Sequence, residues 1–521
     1  MTPDILTYRL TGPLSAHALS RALVAALVFV TVTWSPATAQ HDAPNVLFAI
    51  ADDWGWPHTS AYGDPVVKTP SFDRIASEGA LAHHAYVSSP SCTPSRGAIL
   101  TGQWHWRLEG AANLWSVFPD RFETYQELLR AAGYRTGMTG KGWGPGRTET
   151  EDRELVGRRF ESLEQFLAGL GEAQPFAFWL GTSDPHRPFR PGSGEESGMD
   201  LDAIQLPAAF PDHRDTRGDV ADYHWEVQRF DALVGDALRL LDEQGLAETT
   251  IVVMTSDHGM PFPRCKSNLY DCGSRVPLAI RWPERLADGV EIDAFVSLTD
   301  LAPTFLEAAG LPRPAAMTGR SLMALLEAGD DEAAVEAVVA ADGRDFALTG
   351  KERHVPAQEA PDVGGYPGRA IRTHDFLYIR NFRPDRWPNG TPNHERAAYP
   401  GAWYADTDNG PTKTYMIEQR ERDAEHRRLY ELAFGKRPAV ELYDLRTDPD
   451  QQVNVADDPD YEATRDELGE RLMERLRATG DPRATDGGDI FDEYPYLGGA
   501  PRHPSLPRLR PGALRPPADQ P

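Results

Sequence analysis

Two apolar, strand-like runs end in residues whose side chains bind metal ions. Asp52 and Asp53 end the run NVLFAIADD, and Asp257 and His258 end the run IVVMTSDHG. Adjacent carboxylates repel each other unless a cation or solvent intervenes, and oxygen ligands suit a hard divalent metal such as Ca²⁺. Each pair alone is also typical of a helix cap or a solvated turn. Two such pairs, after two predicted parallel strands, favour a metal site.

One of the three cysteines has a different environment from the other two. Cys92 lies in SSPSCTPSRGAILTG, just before a helix predicted to begin near Pro94 or Ser95. Helix N-termini attract anions and lower thiol pKa values. Cys265 and Cys272 are seven residues apart and could close a small disulfide loop. Cys92 would then be unpaired, which is a liability in an exported protein unless chemistry uses the thiol.

The elements that must position these residues alternate between strand and helix patterns. YRTGMTGK and FAFWLGTSDPH are further strand-like runs, and apolar residues at helical spacing cover 227–241 before Gly245. The alternation predicts an α/β fold with a large, mainly parallel sheet sandwiched by helices. Ligands bind beyond the carboxyl ends of parallel strands. We therefore expect the polar residues that end these runs to meet at one edge of the sheet.

The N-terminus and the overall charge bear on compartment and partners. Arg9 and Arg21 precede the apolar run ALVAALVFVTVTW. The small residues ATA before Gln40 resemble a cleavage site. This pattern predicts export, to the periplasm or outside the cell, without stable membrane insertion; an uncleaved anchor is the alternative. The formal charge of −26 argues against nucleic acid as a partner, although a local cationic pocket can still bind an anionic substrate.

The texture of the chain changes after about residue 340. The strand-like stretches RAIRTHDFLYIRNF and VELYDLRTDP are separated by a long loop rich in Pro, Gly and Asn, which favours an antiparallel sheet. We therefore divide the chain into a signal peptide (1–39), a catalytic domain (40–345), a smaller C-terminal α+β domain with an antiparallel sheet (346–498) and a Pro-rich tail (499–521).

Seven motifs occur in a fixed order between about residues 44 and 460. They are NVLFAIADDWG, TPSFDRIASEG, CTPSRGAILTG, TGKGWGPG, SDPHRPF, TSDHG and ELYDLRTDPDQQVNVA. This set resembles the formylglycine-dependent type I sulfatases of the alkaline phosphatase superfamily, and TSDHGMPFPRCKSNLY is similar to the heparan N-sulfatase (sulfamidase) branch. The resemblance implies an alkaline phosphatase-like fold and an exported enzyme that hydrolyses sulfate esters, or alternatively sulfamates, of a sulfated carbohydrate.

The resemblance also implies a modified nucleophile and a metal. Cys92 would be oxidised to formylglycine by a formylglycine-generating enzyme, and the formylglycine hydrate would attack sulfate. A geminal diol suits this reaction, because one oxygen attacks and the other later expels sulfate by re-forming the aldehyde. We expect Cys92 to be exposed, since the modifying enzyme must recognise its flanking sequence. The implied ligands of one Ca²⁺ per chain are the modified Cys92, Asp52, Asp53, Asp257 and His258.

Other implied roles concern the sulfate, the leaving group and the sugar. Arg96 would stabilise the ionised hydrate, and Lys141 and Lys266 would bind the sulfate charge. His186 would protonate the leaving oxygen. The chain has only six lysines, two of them at these positions, although a surface role for Lys266 is the alternative. The side chains expected at the pocket rim, where they would bind a sulfated glycan, are His354, Arg369 and Arg372.

One position departs from the family pattern. Many sulfatases have a histidine two residues after the motif lysine, where it deprotonates the hydrate, and this chain has Trp143 there. His83, His84 and His105 are near the cysteine motif, but each fits an ordinary polar role better. Two other functions stay open. One is a phosphonate monoester or phosphodiester hydrolase of the same superfamily, and the other is an inactive protein that binds sulfated glycans.

Overall fold

The computed structural model describes residues 43–485 and 487–507. The predicted signal peptide and residues 508–521 of the predicted tail lie outside the described residues. The tail segment 499–507 lies against an upstream loop: the backbone N–H of Trp403 donates to the carbonyl oxygen of Pro501, and the ring of His503 stacks on His394 with centroids 4.1 Å apart. The domain boundaries given above stay predictions.

Fourteen strands occur in the described residues, numbered in chain order. They are β1 (Asn45–Ala51), β2 (Ala80–Tyr86), β3 (Ser116–Phe118), β4 (Arg135–Thr139), β5 (Gly146–Thr148), β6 (Arg158–Arg159), β7 (Phe176–Gly181), β8 (Thr250–Ser256), β9 (Leu278–Arg281), β10 (Val290–Ser297), β11 (Ala347–Lys351), β12 (Gly368–Arg372), β13 (Phe376–Asn381) and β14 (Val440–Asp444).

Fourteen α-helices occur in the same part of the chain. They are α1 (Pro70–Ser77), α2 (Cys92–Thr101), α3 (Tyr125–Ala131), α4 (Leu163–Leu167), α5 (Ser193–Glu196), α6 (Arg214–Glu243), α7 (Asp271–Ser274), α8 (Leu301–Ala308), α9 (Met323–Ala328), α10 (Glu332–Asp342), α11 (Pro411–Glu418), α12 (Ala424–Phe434), α13 (Glu462–Ala478) and α14 (Ile490–Glu493). Among the described residues, no helix has the length and the apolar stretch that crossing a bilayer requires.

The larger sheet has eight strands in the order β10-β2-β9-β8-β1-β7-β4-β6. All neighbours pair in parallel except β9, which is antiparallel to both β2 and β8. The predicted α/β fold with a mainly parallel sheet is therefore confirmed, with one reversed strand. Parallel pairing needs crossover connections, and helices in those crossovers cover both faces of the sheet.

Strand β1 shows how both faces are covered. Successive side chains of a strand point to opposite faces. Val46 and Phe48 pack with Phe305 of α8 on one face, and Leu47 packs with Phe230 of α6 on the other. Every residue of β1 is buried, as expected for a central strand of such a sheet. Helices packed on both faces thus hold β1 in place in the sheet. The first acidic pair follows the carboxyl end of this strand.

The smaller sheet is antiparallel, as predicted, with the order β11-β12-β13-β14. The stretch 369–382 forms two strands, β12 and β13, because a turn at Thr373 reverses the chain: its backbone N–H donates to the carbonyl oxygen of Phe376. Leu348, Ile371 and Leu442 pack in one cluster with apolar residues of α13. The sheet therefore has its own helical cover, and β11 continues directly into a segment that reaches the candidate site.

Candidate active site

The carboxyl ends of β1 and β8 lie side by side, since the two strands pair in parallel and in register to their last residues. Asp52 and Asp53 follow β1, and Asp257 and His258 follow β8. All four side chains are buried, with at most 2% exposed. The backbone N–H of Asp53 donates to Oδ1 of Asp257 at 3.0 Å. The two predicted polar motifs therefore form one cluster at the sheet edge.

Cys92 is the first residue of α2 and lies against this cluster. Its Sγ atom is 3.6 Å from Oδ1 of Asp52 and 3.3 Å from Nε2 of His258. The expectation that Cys92 is exposed is not met: it is 2% exposed, and every residue of α2 is buried. Asp52 and His258 at the strand ends contact its Sγ atom, and His354 contacts the preceding Ser91.

Burial also decides the ionisation of the unmodified thiol. Burial raises the pKa of Cys92 well above its usual value, against the opposing effect of the nearby Lys141 ammonium. A cysteine that acts directly as a nucleophile needs a lowered thiol pKa. Burial therefore opposes ionisation of the unmodified Cys92 thiol.

Asp53 and His258 face each other without a proton to share when the ring is neutral. Nδ1 of His258 donates to the carbonyl oxygen of Gly259 at 3.0 Å, so Nε2 of the neutral ring presents a lone pair. That atom is 3.1 Å from Oδ1 of Asp53, which has no hydrogen-bond donor among the described residues. Two buried acceptors at this distance fit a shared cation.

The donor set around this gap indicates which cation fits. Asp52, Asp257 and Cys92 bring their ligand atoms within 4.8 Å of one another, and Asp53, Cys92 and His258 do the same. Carboxylate oxygens dominate the combined set, as hard divalent cations such as Ca²⁺ prefer. The residues present therefore fit a calcium ion.

Two lysines neutralise part of the acidic cluster. Nζ of Lys141 donates to both carboxylate oxygens of Asp52, at 2.6 and 2.7 Å. Nζ of Lys266 donates to Oδ2 of Asp53 at 2.8 Å and to Oδ2 of Asp408 at 2.9 Å. Burial alone would raise the pKa of Asp52, but Lys141 and other cations hold it well below its usual value, so the carboxylate is ionised.

Arg96 ties the strand ends and α2 together. The guanidinium is fully buried, and its Nε donates to Oδ2 of Asp257 at 2.7 Å. Its terminal nitrogens donate to the carbonyl oxygens of Gly142 at 3.0 Å and Ala51 at 3.1 Å. Arg96 therefore fixes α2 relative to β1, β8 and the segment after β4.

His186, in the loop after β7, is half-buried at the same edge. Its Nδ1 lies 2.6 Å from the carbonyl oxygen of Arg187, which can only accept, so Nδ1 carries a proton. Nε2 lies 3.9 Å from Oδ2 of Asp53. When the ring is protonated, the proton on Nε2 is the one available to a bound substrate.

Asp52, Cys92, Lys141, His186 and Lys266 line a cleft of about 790 Å³. Although the whole chain has a formal charge of −26, cations outnumber carboxylates in the cleft lining. The lining cations are Lys141, Arg159, Arg187, Arg190, Arg229 and Lys266, and the lining carboxylates are Asp52, Asp184, Glu226 and Asp408. The cleft is therefore a local site for an anion within an acidic protein.

The comparisons with known proteins agree with this geometry. A family model described as sulfatase matches residues 44–153 and 145–311, just over half of the chain. The chain belongs to the sulfatase family. It is a type I sulfatase of the alkaline phosphatase superfamily and thus a sulfuric ester hydrolase.

Relatives of this sulfatase include enzymes that act on sulfated sugars. Human (Homo sapiens) N-sulphoglucosamine sulphohydrolase is 28% identical over 511 residues, covering 86% of this chain and 93% of that protein. An ulvan-active sulfatase of Formosa agariphila is 26% identical over 461 residues, covering 85% and 82%. A structure solved in complex with its substrate D-glucosamine-2-N,6-O-disulfate shares the fold, with a TM-score of 0.55, 19% identity, and 86% and 99% of the two chains covered.

Trp143 occupies the position where many sulfatases have a histidine. Its Nε1 donates to the carbonyl oxygen of Thr93 at 3.1 Å, and its ring packs edge-on against Phe118 with centroids 5.2 Å apart. Trp143 thus supports α2 from the cleft wall and has no basic nitrogen to accept a proton. The histidines near the motif are engaged away from the cleft: His83 with Glu291, His84 with Asp293, and His105 with Ser88.

The three side chains predicted to bind the sugar do not lie together in this sulfatase. His354 lines the cleft, and its Nδ1 is 2.8 Å from Oγ of Ser91. Burial, and then Lys266, hold the pKa of His354 well below its usual value, so the ring is neutral. His354 is therefore the one of the three that a substrate in the cleft can contact.

Arg369 and Arg372 do not reach the cleft. The Arg369 guanidinium is fully buried and donates to Asp481 at 2.6 Å and Glu352 at 2.7 Å. Arg372 pairs with Asp271 at 3.2 Å and lines a separate cavity of about 380 Å³. Arg369 and Arg372 are three residues apart on β12, so their side chains point to opposite faces of the sheet, and each pairs with a carboxylate outside the cleft lining.

Asp408 and Arg159 line the cleft but were not among the site residues predicted from the sequence. Asp408 lies in the loop before α11 and reaches Lys266, and Arg159 ends β6 and lines the cleft. Neither residue follows a strong strand signal or belongs to a family motif. Their roles depend on how distant segments fold over the sheet edge, which local patterns do not report.

The two remaining cysteines support the position of Lys266. The structure pairs Cys265 with Cys272, with Cα atoms 4.9 Å apart. Lys266 is the first residue inside this short loop, and its side chain is 3% exposed. The crosslink therefore restricts the segment that carries one of the two cleft lysines.

Proposed function

We propose that this sulfatase hydrolyses sulfate esters of a carbohydrate, using formylglycine formed from Cys92 and one Ca²⁺ held by Asp52, Asp53, Asp257 and His258. The observation that carries the proposal is the gap between Oδ1 of Asp53 and Nε2 of His258, two buried acceptors 3.1 Å apart beside Cys92. The formylglycine hydrate would supply the attacking hydroxyl. Ca²⁺, when bound, would neutralise charge on the sulfate oxygens.

The chain's own residues then bind the sulfate and move the proton. Lys141 and Lys266 bring two ammonium groups to the cleft, where they attract sulfate and stabilise charge that builds up as the ester bond breaks. His186 donates the Nε2 proton to the leaving oxygen, because Nδ1 is committed to the carbonyl oxygen of Arg187. Arg96 holds the nucleophile helix in place.

A carbohydrate substrate is supported by the cleft and by the relatives. The cleft of about 790 Å³ has more room than one sulfate needs, and its lining includes four arginines besides the two lysines. One relative is named for ulvan, and one structural neighbour was solved with a glucosamine disulfate. The name of the human relative, N-sulphoglucosamine sulphohydrolase, keeps sulfamates as an alternative to esters. We further propose that the enzyme is exported.

The decisive experiment is mass spectrometry of the peptide that contains Cys92, from protein co-expressed with a formylglycine-generating enzyme. We expect an aldehyde or its hydrate at position 92, trapped by a hydrazine reagent, and turnover of an aryl sulfate in proportion to the modified fraction. Cys92→Ala is the matched control and is expected to be inactive. Full sulfatase activity in protein that retains an unmodified thiol would refute the proposed nucleophile.

The substrate class is tested by two adjacent arginines of β6. Arg159 lines the cleft, whereas Arg158 stacks over Phe160 and does not. We expect Arg159→Ala to raise KM for a sulfated oligosaccharide by about 2–5-fold, as for loss of one exposed ion pair, and to leave KM for a small aryl sulfate unchanged. Arg158→Ala should change neither. Equal effects of the two substitutions would argue against a glycan in this part of the cleft.

A further inference from the structure

A second cluster of metal-ligating side chains lies outside the catalytic cleft. It contains His58 and Asp64, in the loop between β1 and α1, and His224 in the middle of α6. The side chains of His58, Asp64 and His224 are 5%, 7% and 1% exposed. None of them lines the 790 Å³ cleft. This cluster therefore needs an explanation separate from sulfate hydrolysis.

The three ligand atoms converge on one point. Nδ1 of His58 is 3.2 Å from Oδ2 of Asp64 and 3.2 Å from Nε2 of His224, and the last two atoms are 3.9 Å apart. Zinc bonds of about 2.0–2.1 Å in a tetrahedral site place neighbouring ligand atoms about 3.3–3.4 Å apart. The observed triangle thus has the size of one face of a tetrahedral zinc site.

Hydrogen bonds alone leave this triangle unsatisfied. Nδ1 of His58 carries at most one proton. If that proton is shared with Asp64, no proton on His58 is left for His224; if His224 donates to His58, Asp64 faces a lone pair. In addition, Nδ1 of His224 has no hydrogen-bond partner in the described ranges, so every polar contact of this ring is made through Nε2. A cation bound by all three atoms would satisfy them together.

The surroundings fix the ligands and leave one position open. Oδ1 of Asp64 accepts from the backbone N–H groups of Val66 at 2.9 Å and Val67 at 3.0 Å, which leaves Oδ2 for the cluster. His58 and Asp64 also line a cavity of about 380 Å³, which gives an ion a route in and room for a water as fourth ligand. Two imidazole nitrogens and a carboxylate suit zinc better than Ca²⁺.

We propose that His58, Asp64 and His224 form a structural site for a divalent transition metal of the zinc class. The site joins the loop that follows Asp52 and Asp53 to α6, the helix that covers β1. Its occupancy would stiffen the segment that begins with the catalytic carboxylates. This proposal does not depend on the substrate or on formylglycine.

The test uses the purified full chain, stripped with a chelator, returned to Ca²⁺ and titrated with zinc chloride. We expect wild-type protein to retain one more zinc equivalent after gel filtration than Asp64→Asn or His224→Gln. At a free zinc concentration about 100-fold above Kd, Tm should rise by about 2–3 °C in wild type only. Asp64→Asn is the conservative variant, since the amide oxygen can still accept from Val66 and Val67.

Two controls separate this site from the catalytic centre. Asp257→Asn removes a carboxylate of the catalytic cluster and should keep the extra zinc, and His83→Gln removes an exposed histidine and should also keep it. If wild type, Asp64→Asn and His224→Gln bind the same amount of zinc, the cluster is a hydrogen-bonded network and the proposal fails. It also fails if Asp257→Asn loses the zinc that Asp64→Asn retains.

Discussion

At the scale of single residues, the site depends on which atoms lack a proton. The carbonyl oxygens of Gly259 and Arg187 each accept a hydrogen bond from Nδ1 of the preceding histidine, His258 and His186. Nε2 of each ring is therefore the atom that faces the chemistry. In the neutral form of either ring Nε2 is a lone pair, which in His258 lies beside Asp53, whereas the proposed acid role of His186 uses the protonated ring. The same backbone contact thus fixes which nitrogen of each ring faces the site, and the protonation of that nitrogen decides its role.

Lys141 is expected to act on the transition state. We predict that Lys141→Ala lowers kcat for an aryl sulfate by about 10²–10³-fold at saturating Ca²⁺, because one preorganised charge in the cleft is lost. Lys436→Ala is the matched control, since Lys436 is an exposed lysine outside the cleft lining, and it should change kcat less than about 2-fold. Similar losses in the two variants would show that Lys141 has no special role.

His186 is expected to matter most for poor leaving groups. We predict that His186→Gln lowers kcat/KM for a sugar sulfate by about 10²–10⁴-fold, because the alkoxide must leave without a proton. An aryl sulfate, whose phenolate is stable, should lose far less. The comparison is made with both substrates on the variant and on His83→Gln. Equal losses on the two substrates would exclude His186 as the acid.

At the scale of elements, strand ends account for most of the candidate site. The prediction that polar residues after β1 and β8 meet was possible because apolar runs reveal buried strands, and parallel strands share a carboxyl edge. Arg369 and Arg372 show the limit of this reasoning. Their spacing on β12 was visible, but the direction of each side chain depends on carboxylates at Asp271, Glu352 and Asp481, which come from distant segments.

A glycine before Lys141 lets two strands approach each other. Gly140 has φ +61°, and a Cβ there would overlap the carbonyl group of Gly181. We predict that Gly140→Ala lowers the free energy of unfolding by at least about 1–2 kcal/mol and also lowers kcat, since Lys141 must shift. Gly218→Ala, in open space on α6, should instead raise it by about 0.5–1 kcal/mol. Urea denaturation of both variants gives the comparison, and a neutral Gly140→Ala would contradict the packing described.

At the scale of the whole molecule, the protein buries uncharged histidines. His105, His224 and His354 are 0%, 1% and 5% exposed. Burial, followed by nearby cations or the His58 ring, lowers the pKa of all three, in His224 from 6.5 to about 3. These groups are neutral in the folded protein and titrate near pH 6.5 when the chain unfolds. Their protonation therefore favours the unfolded state.

The sign of the resulting pH dependence follows directly. Between pH 6.5 and the lowered folded values, the unfolded chain binds more protons, so stability falls as pH falls. From pH 7 to 5.5 each histidine contributes a loss of about 1.3 kcal/mol, or about 4 kcal/mol for the three. Urea denaturation at the two pH values measures this difference, and His105→Gln should remove about a third of it. Equal stability at pH 7 and 5.5 would refute the prediction.

The burial of α2 has a consequence for how active enzyme is made. A modifying enzyme must bind Cys92 together with its flanking residues, and in the finished fold all ten residues of α2 are buried, with only Cys92 among them lining the cleft. Under the proposed chemistry, oxidation must therefore precede folding, and the two processes compete in time. A chain that folds first is trapped with an inert thiol. The active fraction of a preparation would then be set during synthesis and would increase when folding is slowed, and no later incubation of folded protein with the modifying enzyme would raise it.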